Sequence, residues 1–219
     1  MEFISTFVDI FLHLDKHLGQ VISDYGTLTY FILFLILYCE TGLVVTPFLP
    51  GDSLLFAAGT FAALGALKLE ILLPLLYLAP ILGDSTNYWI GRFIGPKIFS
   101  RNDVKLFKKE YLDKTHAFYE KHGGKTVIIA RFMPIFRTFA PFVAGIGKMS
   151  YVRFLTFSVV GTLLWISSFV LAGYFFGNIP FVKKNFTVVI LVVIFISLLP
   201  EIIAYMKEKM GKKRAAAKL

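Results

Sequence analysis

The feature that most constrains this chain is its long apolar runs, two of which are long enough to cross a lipid bilayer. Residues 154–177 contain no charged side chain, and residues 186–206 are apolar apart from Glu201. A helix of about 20 apolar residues crosses the hydrocarbon core of a membrane. Charged residues make up 17% of the chain, whereas soluble domains average about 25%. The sequence therefore predicts an integral membrane protein.

Two further apolar stretches, residues 28–67 and 126–147, are interrupted by residues that break helices. The predicted hairpin breakers are Pro47, Pro50, Gly51, Pro134 and Pro141. Proline removes a backbone hydrogen bond from a helix, and broken backbone at membrane depth is tolerated only where it is buried in protein or lines a wet cavity. We therefore predict that each stretch forms a re-entrant hairpin.

Basic residues are concentrated in two segments, 96–125 and 207–219. The first has eight Lys and Arg against four Asp and Glu, and the second has six against one. Membrane proteins retain Lys and Arg on the cytoplasmic side, so orientation, and not nucleic-acid binding, explains most of the formal charge of +9. With both segments cytoplasmic, the chain between them must cross the membrane an even number of times. We therefore expect 126–147 to enter and leave on the cytoplasmic side, with Lys148 inside and Lys68 outside.

A short internal repeat accompanies the two broken stretches. Residues 56–59 read Phe-Ala-Ala-Gly and residues 142–145 read Phe-Val-Ala-Gly, and the span after each ends on Gly-x-Phe-x-Gly. Broken hairpins in opposite orientations are a transporter architecture, so we predict an all-α polytopic membrane protein built as an inverted repeat. The predicted organisation is an amphipathic N-terminal segment (1–27), a first repeat of hairpin and span (28–95), a basic cytoplasmic amphipathic loop (96–125), a second repeat (126–177), a loop with a final span (178–206) and a basic cytoplasmic tail (207–219).

Four charged residues lie within the broken stretches. The first stretch contributes Glu40 and Asp52, and the second contributes Arg131 and Arg137. A charge at the bilayer centre costs at least about 2.5–3.5 kcal/mol, so these residues either form two ion pairs that join the hairpins or serve a ligand. Arginine suits phosphate because its planar guanidinium donates hydrogen bonds in pairs. We predict that the arginines bind an anionic head group while the two acids exchange protons.

The predicted span over 71–95 is polar on one side, where it carries Asp84, Asn87, Tyr88 and Arg92. These residues either extend a polar path toward the cytoplasm or form a local hydrogen-bonded stripe. In the second case Tyr88 lies at the interfacial belt and Arg92 reaches the head groups.

Several kinds of catalytic and cofactor site are missing from the sequence. The chain has one cysteine, no His-Glu-x-x-His zinc motif and no P-loop, and its four histidines lie outside the predicted spans. We therefore expect no metal, no cofactor and no enzymatic activity.

The motifs in the broken stretches resemble a known family. The segments YCETGLVVTPFLPGDSLLFAAG and YEKHGGKTVIIARFMPIFRTFAPFVAGIGKMSY, with Glu followed by Pro-Gly-Asp and with Arg-x-x-Pro-x-x-Arg, are similar to the DedA family of bacterial inner-membrane proteins. The resemblance implies opposed re-entrant hairpins, shared with eukaryotic lipid scramblases, and transport that depends on protons or membrane potential. It also implies that Glu40, Asp52, Arg131 and Arg137 are the functionally required acids and arginines.

These observations together favour a lipid flippase of the bacterial inner membrane. The substrate implied by the resemblance is undecaprenyl phosphate, with phosphatidylethanolamine or another phospholipid as an alternative for a translocase or scramblase. The other hypotheses are a proton-coupled antiporter of small cations and an assembly factor in which the four charges are structural. A lipid substrate predicts a groove open to the bilayer beside Arg131 and Arg137, and a cavity closed to the bilayer would count heavily against one.

Overall fold

The computed structural model describes residues 14–43, 51–99 and 124–193, together with isolated helical positions between 195 and 206. Every regular element in these ranges is a helix. The helices are α1 (Leu14–Tyr25), α2 (Leu28–Gly42), α3 (Gly51–Ala63), α4 (Leu69–Phe99), α5 (Lys125–Ala130), α6 (Pro134–Ile146), α7 (Tyr151–Phe176) and α8 (Pro180–Lys184). Residues 186–193 are also helical.

Among the described residues, only α4 and α7 are long and apolar enough to span a membrane. Their apolar spans are Leu69–Ile94 and Tyr151–Phe176, close to the predicted 71–95 and 154–177. The predicted final span is described continuously only over 186–193, and most of the predicted loop 96–125 lies outside the described residues. The predicted amphipathic segment 1–27 is described from residue 14, where α1 begins.

Each predicted hairpin consists of two short helices separated by a break. The first has α2 and α3 as its arms, and Gly51 is the first residue of α3, whereas Pro47 and Pro50 lie outside the described residues. The second has α5 and α6 as its arms, and Pro134 is the first residue of α6. The prediction was wrong for Pro141, because α6 continues through it to Ile146. A single missing backbone donor does not end this helix while its other hydrogen bonds persist.

The two arms of each hairpin pack against different long helices. The first arm of each hairpin packs against its own repeat's span, α2 on α4 and α5 on α7. The second arm packs against the span of the other repeat, α3 on α7 and α6 on α4. Each hairpin therefore contacts both α4 and α7.

The sequence repeat marks the closest helix contacts. The Cα of Gly59 faces the carbonyl of Val170, and the Cα of Gly173 faces the carbonyl of Phe56. At the equivalent positions of the other half, Gly145 faces the carbonyl of Tyr88 and Gly91 faces that of Phe142. Each glycine therefore lets a hairpin arm approach the backbone of the facing span, and the two contacts are related as the halves of a twofold repeat.

Each hairpin begins and ends at the same end of the long helices. At one end, the backbone N–H of Lys68, which follows α3, donates to the Tyr30 hydroxyl in the first turn of α2 at 2.6 Å. At the other end, Val127 of α5 packs in one cluster with Met149, which follows α6, and with Phe154 at the start of α7. The two hairpins thus point toward each other from opposite ends of α4 and α7.

Candidate functional site

Arg137 forms ion pairs with both acids of the first hairpin. Its Nη1 donates to Asp52 Oδ1 at 2.8 Å, and its Nη2 donates to Glu40 Oε1. Glu40 is in the last turn of α2, Asp52 is in the first turn of α3 and Arg137 is in the first turn of α6. The three charges therefore meet because each lies next to a helix break. Gly51 lets the backbone of α3 pass directly against the Glu40 carboxylate.

Arg131 pairs with Asp84, which differs from the expectation that it would share the acids of the first hairpin. Its Nη1 and Nη2 donate to the two carboxylate oxygens of Asp84 at 3.0 and 2.5 Å. Arg131 Nη2 also donates to the hydroxyl of Thr162, and Ser158 donates to Asp84 Oδ2 at 2.5 Å. Asp84 on α4 is therefore part of the central site and not of a separate polar path.

Trp165 of α7 connects the two arginine sites. Its indole N–H donates to Asp52 Oδ1 at 2.7 Å, the same oxygen that Arg137 contacts. The Cζ atom of Arg137 lies 4.5 Å from the centroid of the Trp165 ring, and that of Arg131 lies 5.7 Å from it. Both distances are within the range of a cation–π interaction.

The remaining polar residues of α4 have different surroundings. The Asn87 amide donates to the backbone carbonyls of Thr41 and Thr138 at 3.1 and 2.6 Å, so it joins the end of α2 to α6. Tyr88 donates to the Met149 carbonyl, and Arg92 donates to the Tyr88 hydroxyl at 3.1 Å. Tyr88 is completely buried within the protein and stacks on an aromatic ring of α7. Its bond with Arg92 fits the predicted local hydrogen-bonded stripe, and its place at the interfacial belt stays a prediction.

The central cluster is closed in this conformation. Arg131 and Arg137 are 2% and 3% exposed, and Glu40 and Asp84 are equally inaccessible. The expected groove beside the arginines is therefore absent from the part of the chain that the structure describes, and this closed conformation counts against a lipid substrate unless the cluster opens during transport. Three carboxylates face two guanidiniums, so the ionised cluster has a formal charge of −1. Within the described residues, Glu40 Oε2 and Arg137 Nε have no hydrogen-bond partner.

Sequence reasoning missed the contribution of α7 to this site. Ser158, Thr162 and Trp165 follow helical spacing on one face of a span that we treated as uniformly apolar. Two signals were present in the sequence. The hydroxyls recur at the i, i+4 spacing of one helix face, and Trp165 lies in the middle of a span although membrane tryptophans favour the interfaces.

Comparisons with known proteins identify a family model and several relatives of the chain. The family model of the VTT domain matches residues 49–175. The chain is 54% identical over 218 residues to Protein DedA of Escherichia coli strain K12, covering 99% of this chain and 100% of that protein. It is 47% identical to the uncharacterized membrane protein ML0287 of Mycobacterium leprae, covering 77% and 76% of the two chains. It is 36% identical to the inner membrane protein YqjA of Escherichia coli strain K12, covering 71% and 70%.

No solved structure matches the chain. The family model covers more than half of the sequence, and Protein DedA matches it over its full length. The chain is therefore a membrane protein of the DedA family, and its VTT domain match runs from residue 49, just before α3, to residue 175 in the last turn of α7.

Proposed function

We propose that the protein moves a lipid phosphate, with undecaprenyl phosphate as the first candidate, between the leaflets of the bacterial inner membrane in a proton-coupled cycle. The observation that carries this proposal is Arg137, held between two carboxylates that come from opposite arms of the facing hairpin. A guanidinium bound in this way can exchange one anionic partner for another of similar geometry. A phosphate offers paired oxygens of that kind.

Proton uptake provides the exchange step. Glu40, Asp52 and Asp84 carry one more negative charge than the two arginines neutralise, so one bound proton makes the cluster neutral. A proton on Glu40 or Asp52 weakens the hold of that carboxylate on Arg137. The guanidinium then binds the anionic head group, and loss of the proton returns Arg137 to the carboxylates and releases the lipid.

The placement of the hairpins supports alternating access. Each of them begins and ends at one end of the long helices, and α2 has 15 residues, too few to cross about 30 Å of hydrocarbon. We propose that both are re-entrant, from opposite faces, with the C-terminal tail in the cytoplasm. The buried cluster is the substrate-free state of this cycle, and separation of either hairpin from its facing span opens the arginines toward one leaflet.

The lipid substrate is inferred from arginine chemistry and from family membership. A proton-coupled cation antiporter is the second candidate. The surplus carboxylate suits a cation as well as a proton, and so does Glu40 Oε2, which has no hydrogen-bond partner among the described residues. Translocation of phosphatidylethanolamine or another phospholipid requires the same arginines, because its head group also contains a phosphate. In each case we propose transport and not catalysis.

Reconstituted vesicles distinguish these activities. The purified protein is placed in liposomes that contain a fluorescently labelled polyprenyl phosphate, and leaflet exchange is followed with an imposed proton gradient. We expect gradient-dependent exchange by the wild-type protein and its loss in Glu40→Gln, with Glu70→Gln, an exposed acid on α4, as the matched control. Proton-coupled cation flux without lipid exchange would support the antiporter, and labelled phosphatidylethanolamine in place of the polyprenyl lipid tests the phospholipid substrate.

A further inference from the structure

Trp165 occupies the one position in the described site that contacts both arginines and an acid of the first hairpin. It lies at the centre of α7 and is completely buried. Ser158 and Thr162, on the same helix face, hold Asp84 and Arg131. One face of α7 therefore contacts four of the five charged residues of the cluster, namely Asp52, Asp84, Arg131 and Arg137.

The two parts of the indole make different contacts. The N–H group shares Asp52 Oδ1 with Arg137 Nη1, at 2.7 and 2.8 Å. The ring faces the guanidiniums of Arg137 and Arg131 at 4.5 and 5.7 Å. A cation–π contact does not require the charge of Asp52, so the ring can still hold Arg137 when the Asp52 carboxylate no longer binds it. Cation–π contacts are stronger when they are shielded from water, as this one is.

We propose that Trp165 is a positioning residue for lipid-phosphate transport, which keeps Arg137 and Arg131 in contact with one aromatic ring while Arg137 exchanges its carboxylates for the phosphate. This inference rests on the proposed function and adds a residue that the charged motifs do not contain. The ring positions the two guanidiniums through cation–π contacts, and the N–H group positions Asp52 through a hydrogen bond. Arg137 then offers the phosphate its paired donors, and the fixed guanidinium of Arg131 adds a second positive charge at the same ring.

Two substitutions separate the roles of the ring and of the N–H group. Trp165→Phe retains an aromatic face and removes the donor to Asp52, whereas Trp165→Leu removes both. In the vesicle assay, Trp165→Leu should raise the mole fraction of lipid phosphate needed for half-maximal transport by about tenfold. Trp165→Phe should keep that mole fraction within about twofold and lower the maximal rate. A purely structural role predicts no such division, because both replacements are apolar and smaller than tryptophan.

Trp89→Phe is the matched control for these variants. Trp89 is the other tryptophan of the chain, is 37% exposed and contacts the rings of Phe93 and Tyr151. The Trp89→Phe protein should transport lipid phosphate at the wild-type rate and with the same half-saturating mole fraction. If Trp165→Leu has the same half-saturating mole fraction as Trp89→Phe, the proposal is overturned.

A second measurement does not depend on transport. The Trp89→Phe protein in detergent has Trp165 as its sole tryptophan, so its fluorescence reports the surroundings of that ring. Arg131→Gln and Arg137→Gln should each shift the emission maximum, and Arg92→Gln should not. An emission maximum that does not change in Arg131→Gln would contradict the contact of both arginines with the Trp165 ring. If both arginine substitutions shift the emission maximum but the wild-type protein transports no lipid, the contact of Trp165 with both arginines is supported and the proposed function is wrong.

Discussion

Arg131 and Arg137 are held in different ways, and the difference indicates what each one does. Arg131 is fixed by both oxygens of Asp84 and by the hydroxyl of Thr162, all of which belong to the long helices. Arg137 depends on two acids of the opposite hairpin, and its Nε has no partner among the described residues. We therefore regard Arg131 as the fixed arginine and Arg137 as the one that changes partners.

Asp84→Asn tests the fixed pair. The substitution leaves the Arg131 guanidinium buried without its counter-charge, and breaking a buried pair in this way costs about 3–5 kcal/mol. We expect the free energy of unfolding in detergent to fall by that amount. Glu70→Gln, an exposed acid on the same helix, should change it by less than about 0.5 kcal/mol. Equal stabilities for the two variants would contradict the assigned pair.

The charged residues themselves could be predicted from the sequence, but their pairing could not. Glu40, Asp52, Arg131 and Arg137 stand out because charge is expensive at membrane depth. Which acid meets which arginine depends on how the hairpins pack, and Asp84 lies far from Arg131 along the chain. Its pairing with Arg131 depends on the packing of α4 against the second hairpin and α7, which the sequence does not specify.

The helices pair through small residues at equivalent places in the two halves. Gly59 and Gly173 bring α3 against α7, while Gly145 and Gly91 bring α6 against α4. The four-residue repeat in the sequence predicted two similar units. It did not indicate that each second arm packs on the span of the other unit, because a pattern within one segment contains no information about its partner.

Gly59→Ala and Gly145→Ala test the two equivalent contacts. In each case the new methyl group meets a backbone carbonyl of the facing helix, which cannot move aside as a side chain can. Overpacking of this kind costs about 1–3 kcal/mol, and we expect a similar loss of unfolding free energy for both variants.

The control for this pair is Gly19→Ala. The nearest atoms to a methyl group there belong to the flexible end of the Phe61 side chain, at 3.4 Å. Because alanine is favoured over glycine within a helix by about 0.5–1 kcal/mol, this variant should be as stable as the wild type or more stable. A tolerated Gly145→Ala would argue against the close contact of α6 with α4.

At the scale of the whole molecule, the two hairpins approach from opposite ends of the long helices. Lys68 precedes α4 and is bonded to the first hairpin. Lys148 follows α6, whose Gly145 lies beside Tyr88 and Arg92 in the later part of α4. The two lysines are therefore separated by most of a helix that is long enough to span a membrane.

Cysteine labelling tests this orientation. The single natural cysteine is first replaced by Cys39→Ser, and Lys68→Cys or Lys148→Cys is then introduced. In right-side-out membrane vesicles, a maleimide that cannot cross the bilayer should label position 68 from outside and position 148 only after permeabilisation. Both lysines are exposed, so lack of access is not caused by burial. Labelling of both positions from the same side would exclude opposed hairpins.

The central claim is that Arg137 exchanges two carboxylates for a lipid phosphate, and its most direct test is the transport rate of Arg137→Lys in vesicles. Lysine keeps the positive charge that Glu40 and Asp52 require, but it cannot donate paired hydrogen bonds. We expect the melting temperature to stay close to that of the wild type, as it should in the Arg92→Lys control, while lipid-phosphate transport falls by about tenfold or more. Transport by Arg137→Lys at the wild-type rate would contradict the account.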